Sequence, residues 1–374
     1  MPPRGKKRVR PKRPYQKVQD FVDNYKSICT IYDVQPVPEV EALYGPIIEK
    51  KGRRIPQMLQ FSETILTAIQ LRPLIEAYKV AEIKIKFLSF LNTETGDDGM
   101  HVLAHAFEPP LDIAGIAYHA NDVGPSGCRG FARSMVSSKT LAILELDFNP
   151  KISDDGILGL TSYGHCTSLT RLSLRFCDIG DEGAAIIGNW ITQEGCGIKD
   201  LFLNGNKIGP SGAIAFAKGL AGNKSLNRIE LQDNLFGFDS NALMALHDGI
   251  EACPTMQYVN LLSNFECPPG IDAKFIELTK KKPLGECLLT IKMSSQAFQS
   301  MRSVSLSNKR KMVKEAKRLA REARRNRSPS PSQDESPRPE TPTIPSSRTN
   351  IANPQLPVIN DTPKPSLSTA GTIP

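Results

Sequence analysis

The sequence predicts an α/β solenoid: an inner parallel sheet, outer helices, a disordered basic arm in front and a disordered Pro/Ser-rich tail behind. Three observations carry this. An asparagine-type column recurs at 121, 149, 177, 206, 234 and 264, in steps of 28, 28, 29, 28 and 30 residues. Ahead of each member, two apolar residues stand two apart, the period of a strand face. Behind each, apolar residues follow at three- and four-residue spacing, one face of a helix. A period held over six copies marks a stack of units, none of which shields its own interior.

Each element has a reason. The segment 169–183, LTRLSLRFCDIGDEG, places Leu169, Leu172, Leu174, Cys177, Ile179, Gly180 and Gly183 in the columns. The segment 198–212, IKDLFLNGNKIGPSG, repeats them as Ile198, Leu201, Leu203, Asn206, Ile208, Gly209 and Gly212. Leu226, Ile229, Leu231, Asn234 and Phe236 follow, as do Ile113, Ile116, Tyr118, Asn121 and Val123 upstream. A copy at Leu141, Leu144, Leu146, Asn149 and Ile152 carries one inserted residue, and Met256, Val259, Leu261 and Asn264 form the last clear copy. The paired apolar residues point inward from a short strand. The asparagine amide satisfies turn backbone that would otherwise be buried unpaired, and Cys177 does this more weakly. The next apolar residue plugs the core under the turn. Helix positions follow at Leu103, Phe131, Ile187 and Phe216, with small residues beside them at Ala104, Ala132, Gly188 and Ala217 for close helix approach.

Degenerate copies extend the register to Leu88 and Phe90, then to Leu59 and Phe61. At the far end, Leu289 and Ile291 are expected to form a closing strand opposite Val259 and Leu261. The organisation read from this is a basic arm at 1–14, a cap helix and irregular connection at 15–54, about eight repeats plus a closing strand at 55–292, a linker and basic helix at 293–327, and a tail at 328–374. The cap helix rests on Val18, Phe21, Val22, Tyr25, Ile28, Cys29 and Tyr32 at helical spacing; a partner-binding helix has the same pattern. Pro36, Pro38 and Pro46 make the connection irregular.

The pattern LxxLxLxx(N/C)xLGxxGxxxLAxxL resembles the leucine-rich repeats of the ribonuclease-inhibitor-like class. The resemblance implies a horseshoe with the sheet on its concave side. It says little of function, because such repeats serve cytoskeletal regulators, immune sensors, inhibitors and GTPase-activating proteins.

Charge is segregated. Residues 1–14 hold seven Lys/Arg and no acid, including Lys6, Lys7, Arg8, Arg10, Lys12 and Arg13. Residues 308–327 hold ten Lys/Arg and two Glu, among them Lys309, Arg310, Lys311, Lys314, Lys317 and Arg318. The body between is mildly acidic although the chain is +8 overall. Three readings of the arms stand: targeting signals, patches for an anionic surface such as nucleic acid or a tubulin-like protein, or solubilising tails. Ser328, Ser330, Ser336 and Thr341 each precede proline and are phosphorylation candidates whose added charge would weaken an anionic contact. Eleven of the 29 prolines lie in the last 47 residues, which predicts disorder there.

No apolar run is long enough to span a membrane, and the N-terminus does not read as a secretory signal. Eight scattered cysteines without a CxxC read as reduced thiols, so the expected compartment is cytoplasmic or cytoskeletal, with the nucleus as the alternative. His101 and His105 are four apart, but Val102 stands where a metalloprotease helix needs glutamate. Gly219–Ser225 lacks the glycine a phosphate loop requires before its lysine. The reading is therefore a non-enzymatic scaffold with no metal or cofactor, binding a protein partner on the concave face. GTPase activation of the Ran-activating type and nucleic-acid association in the nucleus are the alternatives.

Concave-face candidates follow from strand alternation. They are Glu145, Asp147, Arg171, Arg175, Arg228, Glu230, Tyr258 and Phe202, with Phe202 opposite Leu201 and Leu203. Phe148 and Phe176, just before the asparagine column, either join them or tuck under the turn as core. Aromatics and arginines on a rigid surface are the composition of interaction hot spots, and burying one phenylalanine is worth about 1.5–3 kcal/mol.

Overall fold

A computed structural model describes residues 11–107, 111–264, 267–282, 284 and 286–288. All belong to the first of two units, residues 1–322; the second, 323–374, lies outside the described residues. So do the basic helix and tail expected at 293–374.

The repeats form one parallel sheet of nine strands in chain order. They are β1 Met58–Ser62, β2 Phe87–Leu91, β3 Gly115–His119, β4 Ile143–Glu145, β5 Arg171–Ser173, β6 Asp200–Phe202, β7 Arg228–Glu230, β8 Tyr258–Asn260 and β9 Glu286–Leu288. Between them run α3 Ala68–Val80, α4 Gly96–Ala104, α5 Pro125–Ser137, α6 Ser153–Thr161, α7 Asp181–Thr192, α8 Pro210–Gly222, α9 Ser240–Ala252 and α10 Ile271–Lys281. The predicted columns pair across the sheet: Leu59 with Leu88, Leu88 with Ile116, Leu172 with Leu201, and Ile229 with Val259. The last strand differs. Cys287, not Leu289, lies opposite Val259. A slip of two residues leaves the same side chains facing inward, so alternation alone does not separate the two registers.

The asparagines form a directed hydrogen-bond column. Asn149 Oδ1 accepts the Asn121 and Val123 amides of the preceding repeat, at 2.8 and 3.2 Å. Its Nδ2 donates back to Tyr118 O and to its own Leu146 O, both 2.8 Å. Asn206 does the same for the Cys177 and Ile179 amides, at 3.0 and 3.1 Å. Cys177 plays both parts through sulfur: Sγ reaches Leu146 O at 3.2 Å and takes a bond from the Asn149 amide of the preceding repeat. Where that repeat carries its inserted residue, the Ile152 amide bonds Asn149 O at 3.0 Å.

A second column escaped the sequence reading. Asp97, Asp154 and Asp181, in the first turns of their helices, accept the amides of Gly124, Gly180 and Gly209 one repeat on, at 2.7, 2.6 and 2.6 Å. The outer helices are close-packed as expected: a Cβ on Gly219 of α8 would fall on the Gly188 carbonyl of α7.

The N-terminal end is closed by two helices, α1 Pro14–Ile31 and α2 Pro38–Glu49. The second corrects the expectation of an irregular connection over 33–54. Pro38 sits at the start of the helix, where it loses no hydrogen bond. Pro46 lies on an exposed turn, where water can serve the carbonyl it leaves free. Phe21 stacks on Tyr78 at 4.5 Å and meets Tyr44 edge-on at 5.2 Å, sealing the end of the core. The Tyr44 and Tyr78 hydroxyls bond at 2.8 Å, and burial pushes the Tyr44 phenol up to about 12.

Candidate protein interface

Strand residues that alternate with the core leucines face away from the helices. On β5–β8 this open face is charged. Arg171, Asp200 and Arg228 are direct cross-strand neighbours, followed by Tyr258. Opposite charges at such positions attract: Arg171 reaches Asp200 at 3.2 Å and Glu145 at 4.0 Å. Arg175 bridges Asp147 at 3.4 Å and Glu230 at 3.6 Å. Arg228 Nε donates to Glu230 at 2.9 Å.

Asp147 and Glu230 are buried carboxylates, tolerable only when compensated. Asp147 Oδ1 accepts from the Ser173 hydroxyl at 2.5 Å and the Arg175 amide at 3.0 Å. Glu230 also receives the Asn204 amide at 3.0 Å. Burial works to raise the Glu145 carboxyl, but His119, 3.6 Å away, and the charges of Arg171 and Arg175 outweigh it and hold Glu145 below its ordinary range. Burial likewise opposes the Arg228 charge, and Glu230 more than restores it.

The network lies over Phe202. Its ring faces the open side as predicted, but only 6% of the residue is exposed. The guanidinium carbons of Arg175, Arg228 and Arg171 sit 4.3, 5.4 and 5.9 Å from its centroid, and Arg228 also covers Tyr258 at 4.1 Å. Phe202 is thus the floor under three arginines rather than a free anchor. Beside it, the buried Asn204 Oδ1 has no hydrogen-bond partner among the described residues.

Among the candidate residues, the exposed phenylalanines are Phe148 and Phe176, at 51% and 43%. They do not tuck under the turn. Their rings stack at 4.9 Å, 7° from parallel. Both stand where the chain leaves the strand, in a left-handed conformation with φ of 60° and 53°. The same conformation recurs at the equivalent residue of every repeat, from Glu63 and Asn92 to Asp233 and Ser263, and directs this side chain to the rim. Gly205 takes the position next to Phe176, and a Cβ there would fall on the Phe176 ring. A bulky residue in left-handed backbone is uncommon, and two of them in consecutive repeats form a deliberate ledge beside the charged floor.

The other candidates fall elsewhere. Among the arm residues, Lys12 and Arg13 flank the start of α1. Lys6, Lys7, Arg8 and Arg10, the 309–318 cations, Ser328, Ser330, Ser336 and Thr341 lie outside the described residues. His101 Nε2 lies 3.1 Å from the Ser126 carbonyl on the next repeat. In the 219–225 turn, the Asn223 side chain is taken up by Ile191 O and the Ser225 and Leu226 amides, at 2.7–2.8 Å. Cys29, Cys128, Cys166, Cys177, Cys196, Cys253 and Cys267 are free thiols, and burial pushes Cys128 up to about 12, far from a nucleophile's range. His247, Asp248 and Glu251 gather on α9 with donor atoms within 4.8 Å of one another, in a mostly exposed ion pair that the sequence reading did not single out.

A family model described as Leucine Rich repeat matches residues 165–187 and 198–217, the two repeats that flank Phe176 and Phe202. The fold itself is a leucine-rich-repeat solenoid. No curated protein matches the chain. Among solved structures, this chain is similar to a structure titled Leiomodin-1 Actin-Binding Site 2 (ABS2), with 13% identity and a TM-score of 0.32 over 60% of this chain and 96% of that one. No helix among the described residues is long and apolar enough to cross a membrane.

Proposed function

We propose that this is a non-enzymatic scaffold of the ribonuclease-inhibitor-like repeat class that binds a protein partner on the open face of its sheet. One observation carries the reading. Two phenylalanines are held exposed and stacked in backbone that disfavours them, beside arginines already fixed by buried carboxylates. Strained, solvent-facing aromatics do nothing for the core, and persist where the surrounding structure and a function require them. Guanidinium groups locked before contact lose little freedom on binding, which favours affinity. The partner's aliphatic or aromatic side chain would cover the ledge. A cytoskeletal partner in the cytoplasm, as the sequence suggests, belongs to this reading.

The test is proximity labelling with the full chain and with Phe148→Ala/Phe176→Ala. A hot-spot pair is worth at least about 2 kcal/mol, roughly 30-fold in affinity. A defined set of partners should therefore drop out while the melting temperature stays in place. An unchanged partner set would remove the ledge from the interface.

A further inference from the structure

The N-terminal end of the solenoid carries a charge cluster that the fold does not use. Helix α2 runs into Lys50, Lys51, Gly52, Arg53 and Arg54. It closes with a paired cap: the Lys51 amide bonds Ile48 O at 3.2 Å and the Gly52 amide bonds Ile47 O at 2.8 Å. That cap needs one left-handed residue, where glycine is the default. Here Lys51 takes it, at φ 51°, and the glycine stands one place later. The helix dipole favours cations in the last turn, which accounts for Lys50 and Lys51. It does not reach Arg53 and Arg54.

Across from this loop, the start of α1 brings Arg13 and Tyr15. Arg13, Pro14, Tyr15, Lys51, Gly52 and Arg53 line a recess of about 610 Å³. Arg13, Lys50, Lys51, Arg53 and Arg54 are all exposed, and none makes an ion pair among the described residues. Their neighbours do: Lys12 pairs with Asp20 at 2.7 Å and Lys17 with Glu82 at 3.2 Å. Arg13, Lys51 and Arg53 line the opening itself, and Lys50 and Arg54 adjoin them in the chain. In the sequence, five more Lys/Arg and no acid precede residue 11.

We propose that this recess binds the backbone of a single-stranded nucleic acid. Three of the five cations are arginines, whose planar forks match phosphate oxygens. Tyr15 sets an aromatic ring in the same wall, and cations beside a stacking surface are the means by which proteins hold single strands without reading sequence. An acidic polypeptide would use the charge and leave the ring idle. The site lies at the cap and is separate from the open face.

The test is fluorescence anisotropy with the full-length chain and a labelled single-stranded oligonucleotide of mixed sequence, titrated with salt. Each phosphate contact contributes about 0.7 to the slope of log affinity against log salt for a single strand. Neutralising four cations, Arg13→Gln/Lys51→Gln/Arg53→Gln/Arg54→Gln, should lower the slope by about 3 and weaken binding at low salt by at least about tenfold. Tyr15→Leu should weaken binding with the slope unchanged. Phe148→Ala/Phe176→Ala should leave it intact, which separates this site from the partner face. Thermal melts confirm that each variant folds. An unaltered slope in the four-site variant would overturn the proposal. So would polyglutamate displacing the oligonucleotide as well as unlabelled strand does, since the ligand would then be an acidic polypeptide.

Discussion

The open face differs between its two ends although the core beneath is alike. Strands β1–β3 turn Met58, Phe87 and Gly115, then Gln60, Ser89 and Ala117, away from the helices; none is charged. Strands β5–β8 turn out Arg171, Asp200, Arg228 and Tyr258, with Phe202 and Glu230 in the next column. Below them both halves bury the same ladder: Leu59, Leu88 and Ile116 in one, Leu172, Leu201, Ile229 and Val259 in the other. The stack therefore does not need the charges. They add desolvated carboxylates that must be compensated, and the half that carries them also adjoins the phenylalanine ledge.

The largest expected effect tests what the two halves share. Asn206→Ala would orphan the buried amides of Cys177 and Ile179 and the Leu174 carbonyl, while Leu203 O keeps its bond from Asn234. Each such group costs about 1–3 kcal/mol, so the loss by denaturant unfolding should be about 3 kcal/mol or more. A loss below about 1 kcal/mol would mean the column is decoration. Next comes the difference between the halves. Arg175→Ala leaves Asp147 and Glu230 short of a cation and should cost about 2 kcal/mol. Ser89→Ala on β2, where no network exists, should stay within about 0.5 kcal/mol. Equal costs would erase the distinction. The smallest effect is in pH. Glu145 is held below its ordinary range in the fold. Its contribution is therefore complete above the unfolded value of about 4.3 and fades as pH falls through the lower folded value. Glu145→Gln should flatten stability against pH between about 5 and 3; an identical profile would show that His119 and the arginines do not act on it.

The residues that make the solenoid were legible because each repeats the same demand. A leucine missing from one copy stands in five others, and the register of eight strands follows from the offsets. Legibility stopped where a structure depends on neighbours rather than on period. Alternation put Phe202 on the open side, but its cover comes from arginines of the repeats on either side of it, Arg171 and Arg175 before and Arg228 after, which no single repeat encodes. Phe148 and Phe176 had two readings because the left-handed backbone that swings them outward leaves no mark in their own residue type; Gly205 in the same column was the available clue. The aspartate column was also in view, since GDDG, SDDG and GDEG each precede a glycine pair one repeat on. In α2, prolines that break a helix interior were counted without regard to where in the helix they fall.

The asparagine column has a consequence for how such a molecule changes length. Asn149 and Asn206 ask only for backbone, their own coil's and that of the coil before them, and that backbone is the same whichever coil supplies it. Duplication or loss of one complete turn of the spiral therefore returns every donor to an acceptor, while a gain of half a turn strands them. Ancestors and descendants of this chain are free to differ by whole coils, with any ligand-bearing stretch shifted bodily along the axis and its local geometry intact.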